Sequence, residues 1–342
     1  MGAVTTTALH DVLNSLRLPN GAYIASPSRY YSHVWIRDVV YTVLPYLHSR
    51  NDRYERAFHA LLNMFRHYEW KLDIHTHKRP VYPFEYIHAR YDQDLQELAE
   101  PWGHAQNDAI GLFLWGVAEG IKHGHRIFRD DRDRGIIQKL VLYLACLEYW
   151  QLPDNGMWEA SIELHASSVG ACVAGLRAIQ SLVDVDEQLI RCGELSLKAL
   201  LPRESKAKET DLALLSLIYP FHVVSYTMAK QILNDAAGKL ERSRGCIRYI
   251  GDDYYKRQQE AEWCFGLPWL GLCHLALAER QQAEEYWEKT SRIVLENGVV
   301  PELFFGGSNE PNENKPLAWA VALVLLFHDQ LFLESSNPAP DP

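Results

Sequence analysis

A three-to-four-residue apolar period runs through most of this chain, and the two-residue alternation of strands is rare and brief. The period is plain in YERAFHALLNMFRHYEWKL (54–72), GIIQKLVLYLACLEYW (135–150) and HASSVGACVAGLRAIQSL (165–182). On a 3.6-residue turn such spacing gathers the apolar side chains on one face, so the chain must be mainly helical. Start and stop signals place helices near 8–16, 38–49, 55–71, 107–122, 134–150, 166–182, 186–200, 211–218, 221–237, 266–278, 281–296 and 316–333. About twelve helices in succession, with aromatic, Pro- and Gly-rich connections between them, point to a closed ring of helical hairpins whose loops meet at one end. The fold class is therefore all-α.

Those connections are long for a compact domain. LPNGAYIASPSRYYSHVW (18–35), THKRPVYPFEYIHARYDQDLQELAEPWGH (76–104), QLPDNGMWE (151–159) and NGVVPELFFGGSNEPNENKP (297–316) are the segments where function is expected. No low-complexity linker, composition break or internal repeat divides the chain, so residues 1–334 read as a single domain and 335–342 (SSNPAPDP being the tail's sequence) as a disordered end.

Charge and apolar runs exclude some partners. A formal net charge of −10 disfavours nucleic acid and anionic membranes, which attract clustered Lys and Arg. The longest apolar run, LAWAVALVLLF (317–327), is too short to span a bilayer and reads as a core helix. The first residues lack the basic start and apolar stretch of a secretory signal, so a cytoplasmic location is expected. The six cysteines show no C-x-x-C spacing and read as small buried hydrophobes.

Four loop stretches carry candidate chemistry. In LPDNGMWEASIE, Glu159 follows Trp158; a carboxyl against an indole loses hydration and stays protonated, as an acid catalyst requires, although a capping glutamate would look the same. Glu302 in PELFFGG is a second loop carboxylate, and two of them are what glycoside hydrolysis needs, one to protonate the leaving oxygen and one to activate water or attack the sugar. Arg37 and Asp38, behind the aromatics of SRYYSHVW, can hold sugar hydroxyls while Tyr31 and Trp35 stack on a pyranose; a buried ion pair under aromatics is the plainer reading. EPWGHAQNDAIGLFLW offers Trp102 and Asp108 at the start of a helix, where Asp108 also suits a helix N-terminus. His75/His77 and His123/His125 have a metal-like i, i+2 spacing without a completing carboxylate or thiol, and RDDRDRG (129–135) reads as a solvated connecting loop.

The order of motifs ASPSRYYSHVWIRD, WGHAQNDA, NGMWEASIELHASSVGACVAGL, IRYIGDDYY, PELFF and PLAWAVAL resembles the catalytic domain of glycoside hydrolase family 15 over roughly residues 20–330, with similarity also to the glucosidase-like region of the phosphorylase kinase α subunit. The resemblance implies an (α/α)6 barrel, inversion at the anomeric carbon, release of glucose from non-reducing ends, and no cofactor or metal. It implies Glu159 as general acid and Glu302 as general base. Tyr31, Trp35, Arg37, Asp38, Trp102, Asp108, Trp158, Arg248 and Trp263 are implied as substrate-binding or supporting residues. Ala160 stands where fungal glucoamylases have a second glutamate and HAQND lacks the usual proline, and no β-sandwich or starch-binding module is expected beside the barrel. The implied substrate is accordingly a short soluble α-gluco-oligosaccharide of maltose or isomaltose type. A non-catalytic sugar-binding or regulatory protein on the same barrel is the alternative.

Overall fold

A computed structural model describes residues 6–333; the expected disordered tail lies outside them. Twelve α-helices follow in order: α1 (Thr6–Leu16), α2 (Ile36–Val43), α3 (Arg53–His67), α4 (Glu69–His75), α5 (Asn107–Lys122), α6 (Asp131–Leu147), α7 (Ala166–Ile179), α8 (Glu187–Leu200), α9 (Tyr226–Leu240), α10 (Gly266–Ala276), α11 (Arg280–Asn297) and α12 (Ala318–Phe332). A 3-10 helix, Leu212–Leu217, lies between α8 and α9.

Six of these segments close a ring. Contacts run from α2 to α5, α7, the 212–217 turn, α10, α12 and back to α2. Ring helices are buried on nearly all sides: every residue of α2 is buried, as are nine of the eleven of α10 and eleven of the fifteen of α12. An apolar helix of this kind belongs in a core, whereas a one-sided stripe belongs on a surface. The outer members have such stripes; α8 buries only Ile190, Gly193 and Leu197, and α11 only Ala283, Tyr286, Thr290, Ile293 and Val294. The result is an (α/α)6 barrel.

The ring is tightest where α5 meets α7. A Cβ on Gly111 would stand 2.4 Å from the Ala171 carbonyl carbon, and one on Gly175 would stand 2.4 Å from the Gly111 oxygen. These are backbone atoms, so a side chain cannot be absorbed by a rotamer change. Gly111→Ala is expected to lower stability by about 1–3 kcal/mol through overpacking, read as a shift of the urea midpoint at constant slope.

Several expected elements differ in detail. Segment 211–218 is a 3-10 turn rather than an α-helix; Asp211 caps it by accepting from the Ala213 N–H at 2.8 Å, and Pro220 bars its extension. The helix expected over 55–71 is broken at Tyr68 into α3 and α4. The helix expected from 221 begins at Tyr226, where the Ser225 hydroxyl accepts from the Met228 N–H. RDDRDRG is no solvated loop: Asp130 caps α6, and Asp133, fully buried, is held by Arg129 at 2.8 Å and Arg66 at 2.7 Å. His75 is buried with Nδ1 bonded to the Lys78 carbonyl, while His77 is exposed, so the two do not converge.

Two short ribbons pin the loops at one end. β1 (Val34–Trp35) pairs antiparallel with β2 (Arg90–Tyr91), setting Trp35 opposite Arg90. β3 (Glu262–Trp263) pairs with β4 (Leu303–Phe304), setting Trp263 opposite Leu303. No helix among the described residues is long and apolar enough to cross a membrane.

Candidate active site

The N-termini of the ring helices point toward the end where these ribbons lie, and a cavity of about 810 Å3 opens there. Trp35 and Arg37 bracket the start of α2, Phe265 precedes α10, and Leu317 and Trp319 start α12. Helix N-termini favour negative charge, and Asp38 stands in the first turn of α2. All the sequence-predicted site residues line this cavity except Asp108. Asp108 is buried behind Arg37, accepting from its Nη1 at 2.9 Å.

Glu159 sits in the turn before α7 with φ +57, a left-handed conformation that costs a residue with a Cβ about 1–3 kcal/mol. The turn aims the carboxyl into the cavity. Its Oε1 accepts from Trp35 Nε1 at 3.0 Å and Gln106 Nε2 at 2.9 Å, with Arg37 Nη2 at 3.5 Å. All three donors converge on Oε1, which leaves Oε2 open to a further partner. Burial raises the pKa of this carboxyl, and Arg37, Gln106 and Trp35 oppose the rise.

Glu302 immediately precedes β4, and its Oε2 accepts from Asn312 Nδ2 and Asn314 Nδ2, both at 2.6 Å. The Asn314 amide is oriented by Ser28, whose hydroxyl donates to its Oδ1. The Tyr31 hydroxyl, 2.9 Å from that of Tyr254, faces the same carboxylate. Burial raises the Glu302 pKa while Asn314, Asn312 and Tyr31 pull it down. The two carboxyls thus share a cavity but have unlike partners.

Arg37 and Asp38 face different partners. The guanidinium is turned to Gln106, Asp108 and Glu159, at 3.0, 2.9 and 3.5 Å. Asp38 lines the cavity, and its pKa is pushed up to about 7 by burial, against the pull of Arg37 and with the Glu159 and Glu302 charges adding.

Aromatic rings make the opposite wall. Phe265 stacks on Trp319 at 4.8 Å, and Trp158 lies 5.8 Å from Phe265 and 6.2 Å from Trp263. Trp158 is fixed by donating to Asp211 at 2.7 Å. Arg248 lies over Trp263, 4.5 Å from its centroid, and is held in a fork by Asp252 through two 2.7 Å bonds. Such a wall suits the apolar face of a sugar.

Sequence reasoning passed over Gln106, Asn312, Asn314, Ser28, Asp211, Asp252 and Trp319. Four of them sit in motifs it had singled out, ASPS, HAQND, IRYIGDDYY and PLAW, and the asparagines lie in SNEPNENKP, whose turn chemistry marks a shaped loop without saying which side chains point inward. Among the described residues no group of three or more His, Cys, Asp and Glu is arranged to hold a metal ion.

Residues 7–295 match the family described as glycosyl hydrolases family 15. Curated relatives include the probable phosphorylase b kinase regulatory subunit alpha of Drosophila melanogaster, 28% identical over 340 residues that cover 80% of this chain and 27% of that protein. The liver isoform from Oryctolagus cuniculus is 26% identical, covering 85% and 28%. The chain thus spans about a quarter of the length of the curated relatives it matches. Among solved structures, a glycosidase variant in complex with glucose superposes with a TM-score of 0.80 at 20% identity, covering 96% of each chain. The glucoamylase from Saccharomycopsis fibuligera does so with 0.67 at 14%, covering 98% and 97%.

Proposed function

The chain belongs to glycosyl hydrolases family 15, and from that membership and the geometry of its cavity we propose that it is an inverting exo-acting α-glucoside hydrolase. It releases glucose from the non-reducing ends of short soluble α-gluco-oligosaccharides. The observation that carries this reading is the placing of Glu159 and Glu302 on one cavity with complementary partners. Glu159, 15% exposed and with its donors gathered on one oxygen, keeps a proton on the other for the leaving oxygen. Glu302, steadied as an anion by two amides and a hydroxyl, takes a proton from the attacking water. The terminal glucose lies against the Trp158, Phe265 and Trp319 rings with Asp38 accepting from its hydroxyls. Arg37 holds the acid in place, and no cofactor takes part.

The kinase regulatory subunits among the relatives favour a second reading, a sugar-binding regulatory protein on the same barrel. Proton NMR of the protein with maltose, isomaltose and longer α-glucans separates the two. Appearance of β-glucose first supports the inverting hydrolase; α-glucose first rejects inversion; saturable binding with no glucose released selects the regulatory reading.

The partners of Glu302 make a pH prediction. The base must be ionised, and Asn314 lowers its pKa. Asn314→Leu removes that donor, raises the pKa, and moves the acid limb of the kcat/KM profile to higher pH. The alkaline limb, set by Glu159, stays in place.

A further inference from the structure

A second cavity of about 520 Å3 adjoins the first, and Trp102 and Glu100 line both. Its remaining walls are largely apolar, with Pro83, Phe84, Leu98 and Pro101. Phe84 is 65% exposed and stacks parallel on Tyr82 at 5.7 Å, which places an aromatic pair at the mouth. None of this is used by the chemistry at Glu159 and Glu302.

The polar groups of this cavity are few. His88 and His104 both line it, each 4% exposed, with rings stacked face to face at 3.5 Å. His104 Nδ1 accepts from the Ala89 N–H at 3.4 Å. Neither nitrogen of His88 completes a hydrogen bond; the Phe84 carbonyl and, at 3.7 Å from Nε2, the Glu97 carboxylate lie outside bonding geometry. A buried imidazole with both nitrogens idle is a cost unless something else meets them. Burial, with the neighbouring His104, Lys71 and Arg90 charges, pushes His88 down to about 3, and burial brings His104 to about 4, so both rings are neutral. Each neutral ring offers one donor and one acceptor, which is the complement of a hydroxyl.

The neighbouring charges are spent. Lys71 is bonded to the Phe84 and Tyr86 carbonyls and to Glu97, and Arg90 is paired with Glu100 at 2.8 Å. An anion would find no free cation here. A second sugar would bring several hydroxyls to a cavity whose two carboxylates, Glu97 and Glu100, are already engaged by Lys71 and Arg90. A neutral apolar ring carrying a single oxygen fits both the walls and the idle imidazole.

The cavity is also linked to the acid through packed indoles. Trp35 donates to Glu159 and packs edge-on against Trp102 at 6.4 Å, so acid, indole and shared indole follow one another toward it. Ala160, next to the acid, offers only a methyl group to a second sugar. We propose that this second cavity holds the apolar, ring-bearing aglycone of an α-glucoside, with His88 bonding to its oxygen. The substrate class named here rests on the hydrolase reading; occupancy of the cavity by such a ring does not.

The test has two arms. In the first, free 2-naphthol is titrated against the full chain while the imidazole resonances are followed by NMR. Saturable shifts at His88 and His104 are expected, lost in Ala99→Trp, whose indole at this exposed rim position fills the space, and weakened in His88→Phe, which keeps the ring and removes both nitrogens. In the second arm, the ratio of kcat/KM for 2-naphthyl α-glucoside to that for maltose falls about tenfold or more in Ala99→Trp, as loss of one buried ring predicts. Imidazole resonances that do not move, shifts that persist in Ala99→Trp, or an unchanged ratio would each overturn the proposal. Naphthol binding without hydrolysis of any α-glucoside sinks the hydrolase and with it the named substrate class, while the ring site stands; maltose hydrolysis without naphthol binding does the reverse.

Discussion

Glu302→Gln and Glu159→Gln each lower kcat on maltose by about 10²–10⁴-fold, the usual reach of a positioned acid or base, while glucose binding changes little. Both substitutions keep the shape of the side chain and remove its proton chemistry. They are told apart by a substrate whose leaving group needs no proton. With α-glucosyl fluoride the Glu159→Gln enzyme recovers most of its rate, because fluoride departs unassisted. The Glu302→Gln enzyme does not, because water still lacks a base. The pH profiles divide in the same way: the acid variant loses the alkaline limb and the base variant loses the acid limb. Near-normal turnover of maltose by either variant would remove that residue from the reaction.

The ring of helices could be read from the chain because burial on all sides leaves a dense apolar pattern, as in LAWAVALVLLF, and outer helices leave a stripe. What escaped was conformational detail decided by few atoms. The turn at 212–217 is as apolar as its α-helical neighbours, so periodicity could not distinguish it, and only the Asp211 cap and Pro220 hint at its shortness. RDDRDRG looked solvated because its charges balance; in the fold Asp133 is fully buried by two arginines, one of them from α3.

The site shows the same division. Trp-Glu and Arg-Asp dipeptides, and aromatics in long loops, were visible because they are unusual neighbours in the sequence. Asn312 and Asn314 were not, since an asparagine in a turn is ordinary and only the three-dimensional return of the loop brings two amides onto one carboxylate oxygen. Adjacency gives Arg37 and Asp38 one shared task, whereas in the fold the two side chains face different partners. Successive residues in the first turn of a helix point about 100° apart, so Arg37 reaches across to α5 and the Glu159 turn while Asp38 faces the cavity.

That division of labour makes Arg37→Met the second large-effect substitution. The guanidinium is 5% exposed, Asp108 is 2% exposed, and their 2.9 Å bond is accompanied by the contact to Glu159. Methionine retains the bulk and deletes the charge, leaving the Asp108 carboxyl buried without its cationic partner. Removing one partner of a buried pair costs about 3–5 kcal/mol, and urea denaturation is expected to show a loss of that size. Arg37 also opposes the rise of the Glu159 pKa, so its removal raises that pKa further and carries the alkaline limb of kcat/KM to higher pH. A residue whose task was to grip sugar hydroxyls would behave otherwise. Its loss would raise KM with stability and the alkaline limb left in place, and that outcome would return Arg37 from the support of the acid to the binding of glucose.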